Sequence, residues 1–575
     1  MRFYKRSIWG AFACLVAVAL VLSACGSDEA EPTATSAPPT AAPTATRAAT
    51  SAPVTPATAA PTATPTPVPP TPTPAPRLGG TLITRLNADP VEWDAHIRRS
   101  NDSYVRSQPL ISNLVRFNAH DSKVTEPDLA ESYQQSADGT TWTFKIRQNV
   151  KWHDGKPLTT ADVVYSMLRM AKRQPTFVPL LSGVFASVDT VTSPDPTTVV
   201  VKLSYPTLVF FNGLLSTHAV VLPQHIGENF NKTPIASGAF KLGEIKPSNV
   251  TSLTKNADYF FPGKPYLDQI DYFTIADNSA ALAAFQTGRL HWSGNSPDII
   301  NQSNEAQVKS SLAGVQIFKQ PSGTFISWLN TVVPAFNDPR VRRAIHLAYD
   351  RPEFVAVGLY GDGNPYVIDA FPSTTIWGAP ADFVKTLPGY RSPKSVDLNE
   401  ARSLMEAAGY NNNNRLKTSI LTIGSLFGEQ AAVAATQLRN IYIDAAVEAV
   451  DGATSTQRQV AGNYQIAFLA AAGTIDDPAG VHARFFLPGA SGNYAKHNIP
   501  AFNELYAKQE RLTNVDERLK VVREMEMIAL DNAWWAFVAE RTRTHGAARQ
   551  VRNMPAGLGG TNSNMFRFEQ VWLQP

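Results

Sequence analysis

The polar cluster with the greatest chemical potential in this 575-residue chain is Thr474-Ile475-Asp476-Asp477-Pro478. It follows an uncharged run, 465–470, that reads as a buried strand, and the ends of strands are where open α/β sheets present groups to a ligand. An acid before proline serves there either as a negative charge facing a ligand or as a turn former. Tyr104, Trp292 and Trp377 are candidate walls of a cavity, since rigid rings pack against a ligand with little entropy loss. Each also suits a core position. Reaction chemistry finds little support. There is no P-loop, no Gly-x-Ser-x-Gly and no His-Glu-x-x-His. The ten histidines are scattered without metal-ligand spacing. The only cysteines, Cys14 and Cys25, precede the expected folded region, which can therefore hold no disulfide, zinc-thiolate site or cysteine nucleophile. No catalytic residue, metal or cofactor is assigned.

The elements that must hold these groups are legible in outline. In the stretch 129–166, Asp138-Gly139 marks a turn, and Trp142, Phe144 and Ile146 then alternate with polar residues as in a strand with one buried face. His153-Asp154-Gly155 marks a second turn. Thr159 stands three residues before Asp162, a capping-box spacing, and Val163, Val164 and Met167 continue a helix. Further on, strands are expected near 82–83, 199–203, 217–223, 325–330, 443–450 and 534–538. Helices are expected over 278–288, with Gly288 as stop, and over 428–441, 501–512 and 516–530. Asp338 with Pro339, and Asp350 with Glu353, read as helix starts, as does Asp397 with Glu400 for a helix that ends at Gly409. The arginines at 340, 342 and 343 suit a solvated helix face or structural ion pairs better than carboxylate binding. Strands alternating with helices indicate an α/β protein with mostly parallel sheets.

The N-terminus is of another kind. Arg2, Lys5 and Arg6 precede an uncharged run over 8–24, the layout of a secretory signal, too short to span a bilayer comfortably. Its end, Leu22-Ser23-Ala24-Cys25-Gly26, resembles a bacterial lipobox, which implies lipidation at Cys25 and an extracytoplasmic location. Residues 27–76 are nearly all Ala, Thr and Pro, cannot form a core, and read as a semi-rigid spacer. The net charge is +3. Loss of the three N-terminal basic residues leaves basic residues equal in number to the 48 acidic ones, which argues against a nucleic-acid partner.

The run Asp138-Gly139-Thr140-Thr141-Trp142-Thr143-Phe144 through Trp152-His153-Asp154-Gly155 to Asp162-Val163-Val164-Tyr165-Ser166 resembles the signature of extracytoplasmic solute-binding proteins of family 5, the oligopeptide/dipeptide-binding class. It departs from it at Asn149, for the usual Gly, and at Thr160, for the usual Ala. Ser237-Gly238-Ala239-Phe240-Lys241-Leu242 and Phe336-Asn337-Asp338-Pro339-Arg340-Val341-Arg342 resemble further strings of that family, in its order. The resemblance covers essentially all of 77–575. It implies a two-lobed periplasmic-binding-protein-like fold (class II, with an enlarged first lobe), a ligand cleft between the lobes and two crossings. The implied divisions are a signal peptide at 1–24, a lipid-anchored linker at 25–76, a first lobe at 77–325 with an extra subdomain at about 105–215, a second lobe at 326–535, and a return to the first at 536–575.

It also implies an ABC-transporter lipoprotein, not an enzyme. Such a protein binds peptides outside the cell as a monomer, anchored to the membrane by lipid, and passes them to permease subunits served by cytoplasmic ATPases. A nickel chelate, an oligosaccharide or an opine is the alternative cargo, and a surface-anchored hydrolase a more distant reading. Carried over from peptide-binding members, Asp477 would pair with a peptide's α-ammonium, because an ammonium taken out of water must meet an opposite charge. The second acid usual after the proline is here Ala479.

Overall fold

The structure, a computed structural model, describes residues 75–90, 92–97, 100–121, 124–171, 177, 179–294, 298–371, 373–473, 475–490, 492–555 and 564–574. The signal-like segment, Cys25, most of the spacer and Thr474 lie outside the described residues.

The turn–strand–turn–helix unit forms as its residues dictate. Trp142, Phe144 and Ile146 point inward from the strand Thr141–Ile146. That strand pairs with Ala130–Gln135 and Thr198–Leu203, and Val188–Asp195 completes an antiparallel four-stranded sheet. The helix Thr160–Ala171 follows, and the Asp162 carboxylate accepts the Thr159 backbone N–H at 2.8 Å. This satisfies an amide that the helix leaves without a partner.

Two larger sheets build the lobes. In the first lobe the order is Thr81–Leu86, Gln269–Thr274, Val250–Lys255, Phe240–Lys246. In the second it is Gly363–Asn364, Trp535–Ala547, Gln316–Leu329, Ile466–Ala471, Leu416–Ile423, Ile443–Val450. Gln316–Leu329 and Trp535–Ala547 run antiparallel along their length, from Gln316 opposite Ala547 to Trp328 opposite Trp535. One end of this two-stranded ribbon belongs to the second-lobe sheet. The other reaches the first lobe, where Trp292 bridges Ala547 and the Ser293 N–H donates to the Gly546 carbonyl at 2.9 Å. Gly546 is tightly enclosed: a Cβ there would meet Ile300 and Phe285 at 2.6 and 2.7 Å. Both crossings are therefore a single ribbon.

The sheets are mixed, not mostly parallel as the strand–helix alternation suggests. Parallel pairing joins Thr81–Leu86 to Gln269–Thr274 and joins Leu416–Ile423 to Ile443–Val450 and Ile466–Ala471; the other paired strands run antiparallel. Residues 217–223 do not form the expected strand. Asn113 Nδ2 donates to the carbonyls of Ser216 and Ala219 at 2.7 and 3.0 Å, which takes them out of any ladder, and only Val220 bridges, to Asn113. The helix Ser395–Ala407 begins two residues before Asp397. Asp397 instead accepts the Gly389 N–H at 3.0 Å and pairs with Arg391 at 2.5 Å. Asp338 and Asp350 cap their helices as expected, accepting from the N–H groups of Arg340 and Glu353. The nearby arginines are structural: Arg340 pairs with Asp338, Arg343 with Asp531, and Arg342 donates to backbone carbonyls.

One buried cluster gathers Leu82, Tyr272, Trp292 and Phe566 of the first lobe. Another runs without interruption from the extra sheet (Trp142, Phe185, Phe210) into the second lobe (Phe325, Trp328, Phe486, Trp535). No helix among the described residues is long and apolar enough to cross a membrane.

Candidate functional site

A cavity of about 350 Å³ opens where the two lobes and the ribbon meet. The first lobe contributes Asn278, Ser279 and Leu282 from the helix Asn278–Gln286, and residues 298–301. That helix is set by Asp277, whose carboxylate accepts the Ala280 N–H at 2.7 Å. The second lobe contributes Gly358 to Tyr360, where the helix Arg351–Gly358 ends, together with the first turns of the helix Gly424–Leu438. That helix starts at the C-terminal end of Leu416–Ile423, a strand with parallel neighbours on both sides, the position where such sheets bind ligands. Phe325, Arg541 and Thr542 of the ribbon also line the cavity.

Most polar groups in its wall are already engaged. Asp362 accepts from Lys319 Nζ at 2.9 Å and from the Gln302 N–H at 2.7 Å. Glu429 accepts the Tyr360 hydroxyl at 2.9 Å, and Gln430 Nε2 donates to the Gly358 carbonyl at 2.8 Å. Arg541 Nη2 donates to Asp298 Oδ2 at 2.7 Å, while Arg543 Nε lies 3.9 Å from Asp298 Oδ1. Burial pushes the Arg543 guanidinium down to about 10, and the neighbouring Arg541 charge acts in the same direction. His545 is next on the same face of the strand. Burial holds it near 4, Nδ1 lies 3.1 Å from the Gly294 carbonyl, and Nε2 lies 3.2 Å from Gln320 Nε2. A neutral ring that donates from Nδ1 and accepts at Nε2 satisfies both contacts.

The four ligand-facing candidates from the sequence fall into two other groups. Asp477 is 1% exposed and receives both Arg518 Nη atoms, at 2.6 and 2.5 Å, Asn212 Nδ2 at 3.0 Å and the Ala479 N–H at 2.9 Å. The last contact is the local turn geometry open to an Asp. Trp377 joins the same group, its ring 5.0 Å from the Arg518 guanidinium. Tyr104 and Trp292 meet instead in the first-lobe core, both packed on Phe566 at 5.6 and 5.4 Å, and Trp292 has no exposed surface. None of the four lines the cavity, whose lining includes Asp298 and Arg541. The sequence places the returning strand at 534–538 and stops short of Arg541, whereas in the structure the strand continues to Ala547. The signal was present: in Arg541-Thr542-Arg543-Thr544-His545, charged and titratable side chains alternate at strand period.

The Asp477 group also joins distant parts of the chain. Asn212 lies on the helix Leu208–Leu214, which follows the strand Thr198–Leu203, and Arg518 on the helix Val515–Asn532. Beside it the Tyr205 hydroxyl donates to Glu510 Oε2 at 3.1 Å, Tyr506 donates to Oε1 at 2.7 Å, and Arg511 stacks over Tyr205. Burial raises the Glu510 carboxyl above its usual range.

Residues 124–493 match the family model of the bacterial extracellular solute-binding proteins, family 5 (middle region). The chain is 30% identical over 355 residues to the oligopeptide-binding protein AppA of Bacillus subtilis (strain 168), covering 59% of this chain and 61% of AppA. It is 29% identical over 290 residues to the glutathione-binding protein GsiB of Shigella flexneri serotype 5b (strain 8401), covering 49% of this chain and 53% of GsiB. The matched stretch thus spans less than two thirds of either relative. Among solved structures, OppA of Haemophilus influenzae in complex with RPPGFSPFR has a TM-score of 0.77 at 20% identity, covering 87% of this chain and 100% of that one. DppA of Helicobacter pylori in complex with the peptide STSA has a TM-score of 0.74 at 24% identity, covering 87% and 99%. At such identities the likeness is one of fold: the two-lobed α/β architecture of periplasmic binding proteins. The signature unit, the two-lobed fold and the extent of the family match together establish that this chain belongs to the family 5 bacterial extracellular solute-binding proteins.

Proposed function

We propose that the protein captures peptides outside the cell and delivers them unaltered to the permease of an ABC importer, held at the outer face of the membrane by lipid on Cys25. The cavity at the junction of the two lobes carries this reading. Its volume falls at the low end of the ~300–1,000 Å³ of small-ligand sites, and it abuts the ribbon that joins the lobes, about which they can hinge around a solute. The two curated relatives described above support the cargo, being named for binding an oligopeptide and glutathione. They are named for binding and not for a reaction, which favours capture over turnover. The working division is a first lobe of 77–325 and 536–575 and a second of 326–535, with the 27–76 spacer carrying a monomer away from the membrane surface.

Native mass spectrometry of the full chain purified in detergent tests the cargo. A co-purifying peptide is the expected result; a sugar, an opine or a metal chelate in its place rejects the peptide reading. Retention of Cys25→Ala in the membrane fraction rejects the lipid anchor.

A further inference from the structure

We propose that Asp362 is a catch that fixes the angle of a hinge built into the ribbon, and so sets how far apart the lobes rest before a solute arrives. It rests on the capture reading only in that the lobes move. The ladder of the ribbon is interrupted where it leaves the second-lobe sheet. It keeps register from Gln316 opposite Ala547 to Pro321 opposite Thr542, and resumes at Thr324 opposite Glu540. Ser322 and Gly323 thus face Arg541 alone, a β-bulge. Neither residue of the pair beside it donates across the ribbon: Pro321 has no N–H, and the Thr542 N–H goes to the Asp362 carbonyl at 3.0 Å. Gly323 lies at φ +76°, and a Cβ there would meet the Ala471 carbonyl oxygen at 3.0 Å. A second irregularity, between Phe325 and Ile326, falls where Ile466–Ala471 pairs with the same strand and steadies it. The bend is therefore at residues 321–323, a few positions that absorb the change of angle.

Asp362 reaches across this point from the second lobe. It precedes the strand Gly363–Asn364, which pairs with Arg541 and Glu540 at the edge of the second-lobe sheet. Its carboxylate accepts the Gln302 N–H at 2.7 Å and Lys319 Nζ at 2.9 Å. Both donors lie on the first-lobe side of the bulge. Lys319 stands in the ribbon opposite Thr544 and is tied in turn to Glu305 at 2.9 Å. Gln302 and Glu305 lead into the helix Glu305–Ser311, whose Val308 is buried with Phe285 of the first lobe. One side chain, 11% exposed, thus holds two points beyond the hinge through hydrogen bonds to an ionised acceptor, the stronger kind. Such bonds are lost when they lengthen by about 1 Å. Turning the ribbon at 321–323 by more than that makes Asp362 let go. Its charge is spent on holding the lobes and not on cargo.

The test measures the distance between the lobes in the full chain, with no cargo added, by electron spin resonance. The labels sit on Glu244→Cys in the strand Phe240–Lys246 and Val460→Cys on the helix Gly452–Ala461, both exposed, with Cys14 and Cys25 replaced by serine. Asp362→Ala should move the distribution to longer distances and raise the ratio of open to closed molecules about tenfold or more, the factor for losing a hydrogen bond to a charged group. Lys319→Met keeps the Gln302 bond and should move it the same way by less; this position is exposed, so the variant decides the matter if Asp362→Ala does not fold. Salt at about 1 M should lengthen the wild-type distance, by screening the ion pair, and leave Asp362→Ala unmoved. A distribution in either variant equal to that of wild type overturns the proposal. So does a wild type already as open as Asp362→Ala, or a salt response equal in the two. No cargo enters the measurement, so each of these results leaves peptide capture standing. A sugar or a chelate found by native mass spectrometry removes the peptide instead, and the distances still judge the catch.

Discussion

Arg518 sits in the interior with no exposed side-chain surface, and Asp477 is what makes its charge tolerable there. Two Nη–carboxylate bonds, an acceptor for Nε in Gln509 Oε1 at 2.7 Å and the face of Trp377 complete its surroundings. Deleting one charge from such a pair strands the other, at a cost of about 3–5 kcal/mol. Asp477→Asn is therefore expected to lower the unfolding free energy by that amount in chemical denaturation. A denaturation midpoint equal to wild type would mean that the ion pair contributes nothing. Arg541 differs: it is also largely buried, but among the described residues its side chain makes one hydrogen bond, to Asp298, and it lines the cavity.

At the scale of elements, the four-stranded antiparallel sheet that contains Thr141–Ile146 packs against the second lobe. Its core is continuous with that of the second lobe, and Tyr205 and Asn212 reach Glu510 and Asp477 across the boundary. Removing the Tyr205 hydroxyl leaves Glu510 Oε2 without that donor in a burial that already raises its carboxyl. Tyr205→Phe should cost about 1–3 kcal/mol, the penalty for an unsatisfied buried acceptor. It should also speed amide exchange in the helix Pro500–Gln509 relative to the helix Asn278–Gln286. Equal exchange in both helices would show that the boundary contact is not what protects the first of them.

For the whole molecule, the histidines couple stability to pH. Burial depresses His545 and His153 from 6.5 to about 4, and His497 to about 3. Between these values and 6.5 the unfolded chain takes up protons that the folded chain refuses, so stability rises with pH in that window. It is fully present above about pH 6.5 and is lost as pH falls toward 4. For His545 the loss amounts to roughly 3 kcal/mol at most, at 1.36 kcal/mol per pH unit. Protonating His545 would also set an N–H at Nε2 against the Gln320 amide 3.2 Å away. Denaturation at pH 7.5 and 4.5 should show the fall, and His545→Gln should reduce it; an identical fall in that variant would assign the dependence to other groups.

By itself the sequence determined whatever depends on neighbours along the chain. The turn at Asp138-Gly139, the alternation of Trp142, Phe144 and Ile146, and the caps at Asp338 and Asp350 are set by interactions only a few residues long, and the structure has each of them. The family strings carried the two-lobed architecture. Pairing across the chain was decided only by tertiary structure. Strand direction depends on partners from about fifteen to more than two hundred residues away, and the single ribbon behind both crossings and the irregular path of 217–223 depend on partners about a hundred residues away or more. Asp477 and Arg541 differ for the same reason. Each is a charged residue close to a strand, and nothing in its local sequence reveals that Arg518 saturates the first while the second pairs with Asp298 at a cavity wall. What a charge meets depends on what folding brings beside it.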